Sequence, residues 1–420
     1  MSGARKTDVL VVGAGPTGLL AALSLSEAGL SVEVIDEEWR PAGHSYALAL
    51  HPRSLELLDD LGLAQAAIAQ GRKLESLTIS SHEQDQPRLV RCQLVDRRFP
   101  FLLSLPQSAL ESLLAERLAK RGVRVHWSHR LAALDERLDT VTARVDRLEK
   151  ESHGYGVAHG SWAVAETQAI QAGFVIGADG HRSLVRRALE TSFEDVGPSQ
   201  AFAIFECEAP GAGEEMQLVI GPDSVNALWP LPGGRGRWTL ELTAPDVSSA
   251  DRFKSRLTTM LGERYFPYVD EEQTRELLRA RAPWFDKPAG GIGWSIEVRF
   301  ERRLASSFGR GRAWLAGDAA HLTGPIGMQS MNAGLAEACD LAARIERIHG
   351  GRGLDLLDGY GGERRAGWEF QLGRRGGLRP RPSTRDFVAK DAARLLPCLP
   401  ATGADLAPLA AQLELDVELG

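Results

Sequence analysis

Short apolar runs that break on glycine recur three times along this chain. Residues 8–12 (DVLVV) enter Gly13-Ala14-Gly15-Pro16-Thr17-Gly18, residues 174–176 (FVI) enter Gly177-Ala178-Asp179-Gly180, and residues 313–316 (AWLA) enter Gly317-Asp318. Unbroken hydrophobicity over so few residues predicts strands buried on both faces. After the first run, Leu19, Leu20, Leu23 and Leu25 predict a helix that Gly29 ends. A second strand, Val32–Ile35, follows at once and stops at Asp36. After the third run come Ala319-Ala320-His321, a loop with Pro325 and Gly327, then Met331-Asn332 and an alanine-rich helix over 333–348.

Elsewhere the period changes from continuous to alternating. Leu77-Thr78-Ile79-Ser80 and Leu89-Val90-Arg91-Cys92 alternate within 73–105, and 200–245 yields strands at 201–207, 216–220, 225–229 and 237–242, split by Pro and Gly. That pattern predicts an antiparallel sheet. Trp229, Trp238, Trp284 and Phe285 are either its core or the lining of a pocket. Arg364, Arg365, Arg374, Arg375, Arg379, Arg381 and Arg385 crowd residues 363–390, either as a solvated face or as contacts to an anion. Residues 391–420 read as amphipathic and helical.

The first segment carries specific chemistry. Gly13 permits the tight turn out of the strand, Gly15 leaves room for a pyrophosphate, and Gly18 lets the helix pack closely. The helix N-terminus offers unpaired N–H groups and a positive dipole end to phosphates. Asp36 is placed to accept ribose hydroxyls. With strand, helix, second strand and acid in register, a dinucleotide site outweighs a glycine-rich surface turn. Gly317-Asp318 alone reads more readily as a helix N-cap than as a cofactor contact, and only the full set of motifs reverses that.

Bulk properties narrow the field. A chain of 420 residues is long for one core. A net charge of −7 argues against nucleic acid as a partner. Cys92, Cys207, Cys339 and Cys398 form no C-x-x-C pair, so neither a metal site nor a disulfide framework is expected, and a reducing cytoplasm fits. The apolar stretch 9–30 is interrupted by Gly13, Gly15, Pro16, Gly18 and Gly29, so no membrane span is expected.

Three glycine motifs in this order, with a DG pair at Asp179-Gly180 and a GD pair at Gly317-Asp318, resemble the flavin monooxygenase family typified by para-hydroxybenzoate hydroxylase. The resemblance runs over roughly residues 7–370. It implies an α/β fold with a Rossmann-type FAD-binding domain (three-layer ββα) at 1–72, 106–190 and 291–345. This is interleaved with an antiparallel-sheet substrate domain at 73–105 and 191–290, and a helical C-terminal tail covers 346–420. It implies FAD held by Gly13, Gly15, Pro16, Thr17, Gly18, Asp36, Arg53, Gln107, Asp179, Gly317, Asp318, Pro325, Gly327, Met331 and Asn332. Within that set Asp36 takes the adenosine ribose, Gln107 lies along the flavin side chain, Asp318 takes a ribityl hydroxyl, and Pro325 and Gly327 line the ring. A helix starting at Met331-Asn332 directs its positive end toward the ring. His321 is a structural part of the GD motif.

The implied reaction is hydroxylation or epoxidation of an aromatic or polyketide-like molecule with O2 and NADH or NADPH. The flavin carries the oxygen transfer, so little acid–base chemistry is asked of the protein. Substrate contact falls to His44, Tyr46 or Arg281, and a homodimer is compatible. Two departures stand out. Tyr46-Ala47 replaces an arginine-alanine pair, and the ring-side loop P-x-G-G-Q-G-M-N has Met328 and Ser330 in place of two glycines. A flavin-dependent halogenase is matched only by Gly293-Trp294 and Ile296 of its G-W-x-W-x-I-P motif. Another FAD-dependent oxidoreductase and a non-catalytic flavin-binding protein are the remaining alternatives.

Overall fold

A computed structural model describes residues 5–39, 47–81, 88–94, 97–153, 159–209, 212–243, 258–261, 264–267, 271–282, 285, 291–292 and 294–419. The apolar runs form a parallel array. Strand Arg5–Val12 lies between His159–Gly177 and Val32–Ile35, flanked by Ala313–Leu315 on one side and Val125–His126 on the other. Val9, Leu10 and Val11 are fully buried, as continuous hydrophobicity requires of a strand covered on both faces. The order of connection reverses between Arg5–Val12 and His159–Gly177. In an open α/β sheet that switch point opens a crevice beyond the strands' carboxyl ends. The helices Pro16–Glu27 and Gln329–His349 pack beside it.

Polar alternation hid one part of this sheet. His129–Glu136 and Val141–His153 form an antiparallel meander that returns through the 19-residue strand His159–Gly177, of which 174–176 is only the last part. Val141, Ala143 and Val145 face the core at period two. The intervening Thr, Arg, Asp and Glu mask them in the sequence.

The second sheet has eight strands, in the order His321–Leu322, Trp294–Ala305, Phe193–Glu208, Arg235–Leu242, Val225–Leu231, Glu215–Ile220, Ser76–Ser81 and Arg88–Gln93. It is antiparallel throughout except for Glu215–Ile220 beside Ser76–Ser81. Residues 294–305 therefore pair with this sheet rather than with the first. Ala49–Leu50, Leu102–Ser104 and Arg72–Leu74 make a small separate sheet joining the two units. Residues beyond 346 divide. Helix Asp355–Gln371 packs into the first core through Leu357, Tyr360 and Trp368, while Phe387, Leu395, Leu399 and Leu409 pack into the second. The tail also holds one two-stranded sheet, Gly377–Pro380 with Leu415–Glu418. Five of the arginines named above are ion-paired: Arg364 with Asp340, Arg365 and Arg374 with Glu194, Arg379 with Glu418, and Arg381 with Asp416. They fasten the tail to the body and to itself.

Candidate functional site

Five strand ends are tied in one row by four backbone hydrogen bonds. Gly13 N donates to Ile35 O at 2.8 Å, Asp36 N to His126 O at 3.0 Å, Ala178 N to Val12 O at 2.8 Å, and Ala316 N to Gly177 O at 2.9 Å. The glycine, DG and GD motifs thus meet at one edge. Gly13 has φ +107°, and a Cβ there would lie 2.2 Å from Ala178 O. A Cβ on Gly18 would lie 2.0 Å from Gly13 O, so Gly18 closes the turn on itself. Gly15 differs, because a Cβ there would meet nothing within 4 Å. The space beside Gly15 and the helix start, which no side chain caps, form a cradle that suits a pyrophosphate. Pro16 opens this helix at a position where the missing N–H costs nothing. Thr17, in the first turn of this helix, packs against the GD motif and against helix Gln329–His349, since a Cβ on Gly317 or Gly334 would lie 2.8 or 2.6 Å from its Oγ1.

Asp36 Oδ2 accepts from Ala14 N at 2.6 Å and Oδ1 from Glu38 N at 2.8 Å, which fixes the carboxylate at the strand end. Burial raises its pKa despite these bonds. Asp179 is committed to capping: Oδ1 accepts from Ser183 Oγ at 2.6 Å and Oδ2 from Leu184 N at 2.6 Å. Burial also raises its pKa. Arg186, which sequence reasoning did not single out, joins the DG and GD motifs. Its Nη1 donates to Ala319 O at 2.7 Å and Nη2 to His181 O at 2.8 Å, with the guanidinium 3.8 Å over Phe193.

Under the GD motif lies a buried polar cluster. Glu337 Oε2 accepts from Gly317 N at 2.8 Å and meets His321 Nε2 at 2.8 Å, and Oε1 accepts from Trp368 Nε1 at 2.8 Å. His321 stacks on Trp368 at 3.8 Å. Glu337 titrates below the usual range: His321 and these donors outweigh burial, which pushes the other way. Glu337 and Trp368 carry no sequence signal, because their partners lie 16–31 residues away. Asp318, by contrast, is exposed at the crevice.

The ring-side loop is held from both sides. Trp229 Nε1 of the second sheet donates to Ile326 O at 3.3 Å, and a Cβ on Gly327 would lie 2.5 Å from Leu399 O of the tail. Pro325, Ile326, Gly327 and Met328 are all buried. The helix after the loop starts at Gln329, with Met328 at its N-cap, not at Met331. Asn332 spends its whole side chain on structure: Oδ1 accepts from His51 N and Ser54 Oγ, and Nδ2 donates to Ala49 O and Met328 O, at 2.7–2.9 Å. Met331 is half-buried beside it.

The remaining predicted residues scatter. Gln107 Nε2 donates to Glu111 Oε1 at 2.7 Å; Glu111 is buried, and burial lifts its pKa to about 7. Arg53 is exposed, pairs with Glu56 at 3.0 Å, and lines a cleft of about 1340 Å³ with Leu57, Arg97 and Asp405. Arg281 sits at the end of helix Glu271–Arg281, bonded to Ser224 Oγ and, at 3.5 Å, to Thr243 Oγ1. Trp229 and Trp238 are fully buried, Trp238 edge-on to Phe285 at 5.2 Å. They are core residues. His44, Tyr46, Trp284 and Gly293 lie outside the described residues. Among the described residues no cluster of His, Cys, Asp and Glu is arranged to hold a metal ion, and no helix is long and apolar enough to cross a membrane.

Comparison with known proteins agrees with this geometry. The model of a family described as "FAD binding domain" matches residues 6–369. Pentachlorophenol 4-monooxygenase of Sphingobium chlorophenolicum is 29% identical over 85% of this chain and 61% of its own length. For 6-methylpretetramide 4-monooxygenase of Streptomyces rimosus the identity is 30%, over 85% of this chain and 59% of that protein. The chain thus spans about three fifths of the length of these two relatives. Among solved structures, p-nitrophenol 4-monooxygenase of Pseudomonas putida DLL-E4 superposes with a TM-score of 0.71 at 22% identity, over 98% of this chain and 94% of that one. At that identity the likeness shows the shared fold.

Proposed function

This chain belongs to the FAD-binding domain family, and from that premise we propose that it is an FAD-dependent monooxygenase. It would use NADH or NADPH and O2 to oxygenate an aromatic or polyketide-like small molecule. The observation that carries the reading is the meeting of three glycine motifs at the carboxyl ends of adjacent parallel strands, with an open cradle at Gly15 and a carboxylate at each end, Asp36 and Asp318. These residues fit FAD: free space where a pyrophosphate must approach, and fixed acceptors for the ribose and ribityl hydroxyls.

When bound, FAD supplies electron acceptance from the nicotinamide and the activation of oxygen. The chain's own part is binding and environment. The uncapped start of Pro16–Glu27 stabilises the phosphates. Gly317 N is turned inward onto Glu337, which leaves the Asp318 side chain directed at the crevice. The start of Gln329–His349 has no acidic residue of its own in its first turn, although Asp318 reaches it through Ser330, and its positive end would favour negative charge on a ring beside Pro325 and Gly327. The apolar packing of Ile326 and Met328 against the tail excludes water behind that loop. Four free cysteines, three of them buried, suit a reducing cytoplasm.

The test is anaerobic mixing of the flavin-loaded protein with NADH and NADPH, followed by ¹⁸O₂ in the presence of phenols and tetracyclic polyketides. The reading expects nucleotide-dependent bleaching and one ¹⁸O atom in an organic product. Bleaching followed only by hydrogen peroxide release across the panel would count against a monooxygenase. A flavin that neither nucleotide bleaches, with or without these substrates, would point to a separate flavin reductase or to a binding protein.

A further inference from the structure

Ser330 stands where the ring-side pattern has glycine, and its hydroxyl is not idle. Ser330 Oγ donates to Asp318 Oδ1 at 2.5 Å and sits 3.4 Å from His321 Nδ1. His321 in turn is held through Nε2 on Glu337 at 2.8 Å and by stacking on Trp368 at 3.8 Å. Both His321 and Glu337 are fully buried, so this end of the chain of contacts is rigid. The other end, Asp318, is exposed, and its Oδ2 has no protein partner among the described residues. A lone exposed carboxylate samples several rotamers, and ordering it on a ligand costs entropy. A short charge-assisted bond from a group anchored in the core removes that cost in advance.

We infer that Ser330 is a positioning residue for the cofactor: its hydroxyl fixes the Asp318 carboxylate through Oδ1 and leaves Oδ2 to accept a ribityl hydroxyl. The inference rests on the reading of Asp318 as the ribityl anchor given above. A glycine at this position has no donor to offer, so the chain carries a hold on Asp318 that the glycine pattern lacks.

The experiment is equilibrium titration of the flavin-free full chain with FAD and, separately, with ADP, which carries no ribityl group. Ser330→Ala is expected to weaken FAD binding about tenfold, the loss of one charge-assisted hydrogen bond, and to leave ADP affinity unchanged. Ser330→Thr keeps the hydroxyl and is expected to retain FAD affinity. Three results overturn the inference: Ser330→Ala with unchanged FAD affinity while Asp318→Ala weakens it; equal weakening of FAD and ADP, which marks a folding defect; or a Thr variant as weak as Ala, which assigns the loss to packing. If Asp318→Ala itself leaves FAD affinity intact, the ribityl assignment falls and this inference falls with it.

Discussion

At the scale of single residues, the three glycines of the first turn have separable duties. Gly15 has open space where a Cβ would go, whereas a Cβ on Gly13 or Gly18 would lie 2.2 or 2.0 Å from a backbone oxygen. Gly15→Val is therefore expected to fold, with a melting temperature near that of the parent, and to lose FAD. Gly18→Ala is expected to lose stability instead, by roughly 2 kcal/mol or more, read by denaturant unfolding of the flavin-free chain. Retained flavin in a folded Gly15→Val protein would contradict the cradle. Two buried groups set a pH dependence. Burial lifts Glu111 to about 7, above its ordinary value, so the folded state binds a proton that the unfolded state releases, and stability falls as pH rises from about 4.5 to about 7. Burial depresses His51 to about 4, so stability falls as pH drops from about 6.5 to about 4. Glu111→Gln is expected to flatten the alkaline side only: its melting temperature should exceed the parent's at pH 8 and match it near pH 4.5. An unchanged difference across that range would remove Glu111 as the cause. Residues such as Gly13, Gly18 and Asp36 were legible in the sequence because local backbone demands dictate them. Glu337 and Glu111 were not, because their meaning lies in partners that only the fold supplies; Ser330 was legible as a departure but not as a partner of Asp318, and Asn332 as important but not as a clamp between 49–54 and the ring-side loop.

At the scale of elements, the ring-side loop shows what the two glycine replacements do. Met328 adopts φ +52° at the helix N-cap, a conformation that costs an L-residue about 1–2 kcal/mol. Its side chain is buried in the second core, which returns more than that. Met328→Gly is thus expected to lower stability by about 2 kcal/mol net, and a stabilised variant would show that backbone strain dominates. Gln329 pins the loop to the tail: Nε2 donates to Leu396 O at 2.8 Å and Leu399 O at 2.9 Å. Gln329→Ala removes the short donor from both carbonyls, leaving Leu396 O with only the longer bond from Gln371 Nε2 at 3.4 Å, at about 1–3 kcal/mol in all. It is expected to raise hydrogen exchange across 325–332 and 396–401 together, and exchange confined to one segment would argue against their coupling. The regular elements with strong periods were the readable ones: Val32–Ile35, Glu215–Ile220 and Val225–Leu231 lie where alternation or continuous hydrophobicity put them. The meander of His129–Glu136, Val141–His153 and His159–Gly177 was unread because core-facing residues such as Leu131, Val141, Ala143 and Val145 are interleaved with polar ones.

At the scale of the whole molecule, two cores share one chain that passes between them repeatedly. Strand Trp294–Ala305, alternating in sequence, joins the second sheet just before the continuously apolar Ala313–Leu315 joins the first, so the chain changes units between these two strands and not at 291. The tail then closes on both units, with helix Asp355–Gln371 against the first and the segment from 386 onward against the second. At the strand ends the open space beside Gly15 and the carboxylate of Asp36 belong to the first sheet, while the second sheet holds the ring-side loop through Trp229 and Ile326. Everything proposed about the reaction depends on the crevice at those strand ends holding FAD. The measurement that tests it most directly is the visible spectrum and flavin content of the purified chain, with FAD titration of any flavin-free fraction. The account predicts flavin absorbance bands, close to one FAD per chain after titration, and their loss in Gly15→Val. A folded protein with no flavin bands that also fails to bind added FAD would contradict it.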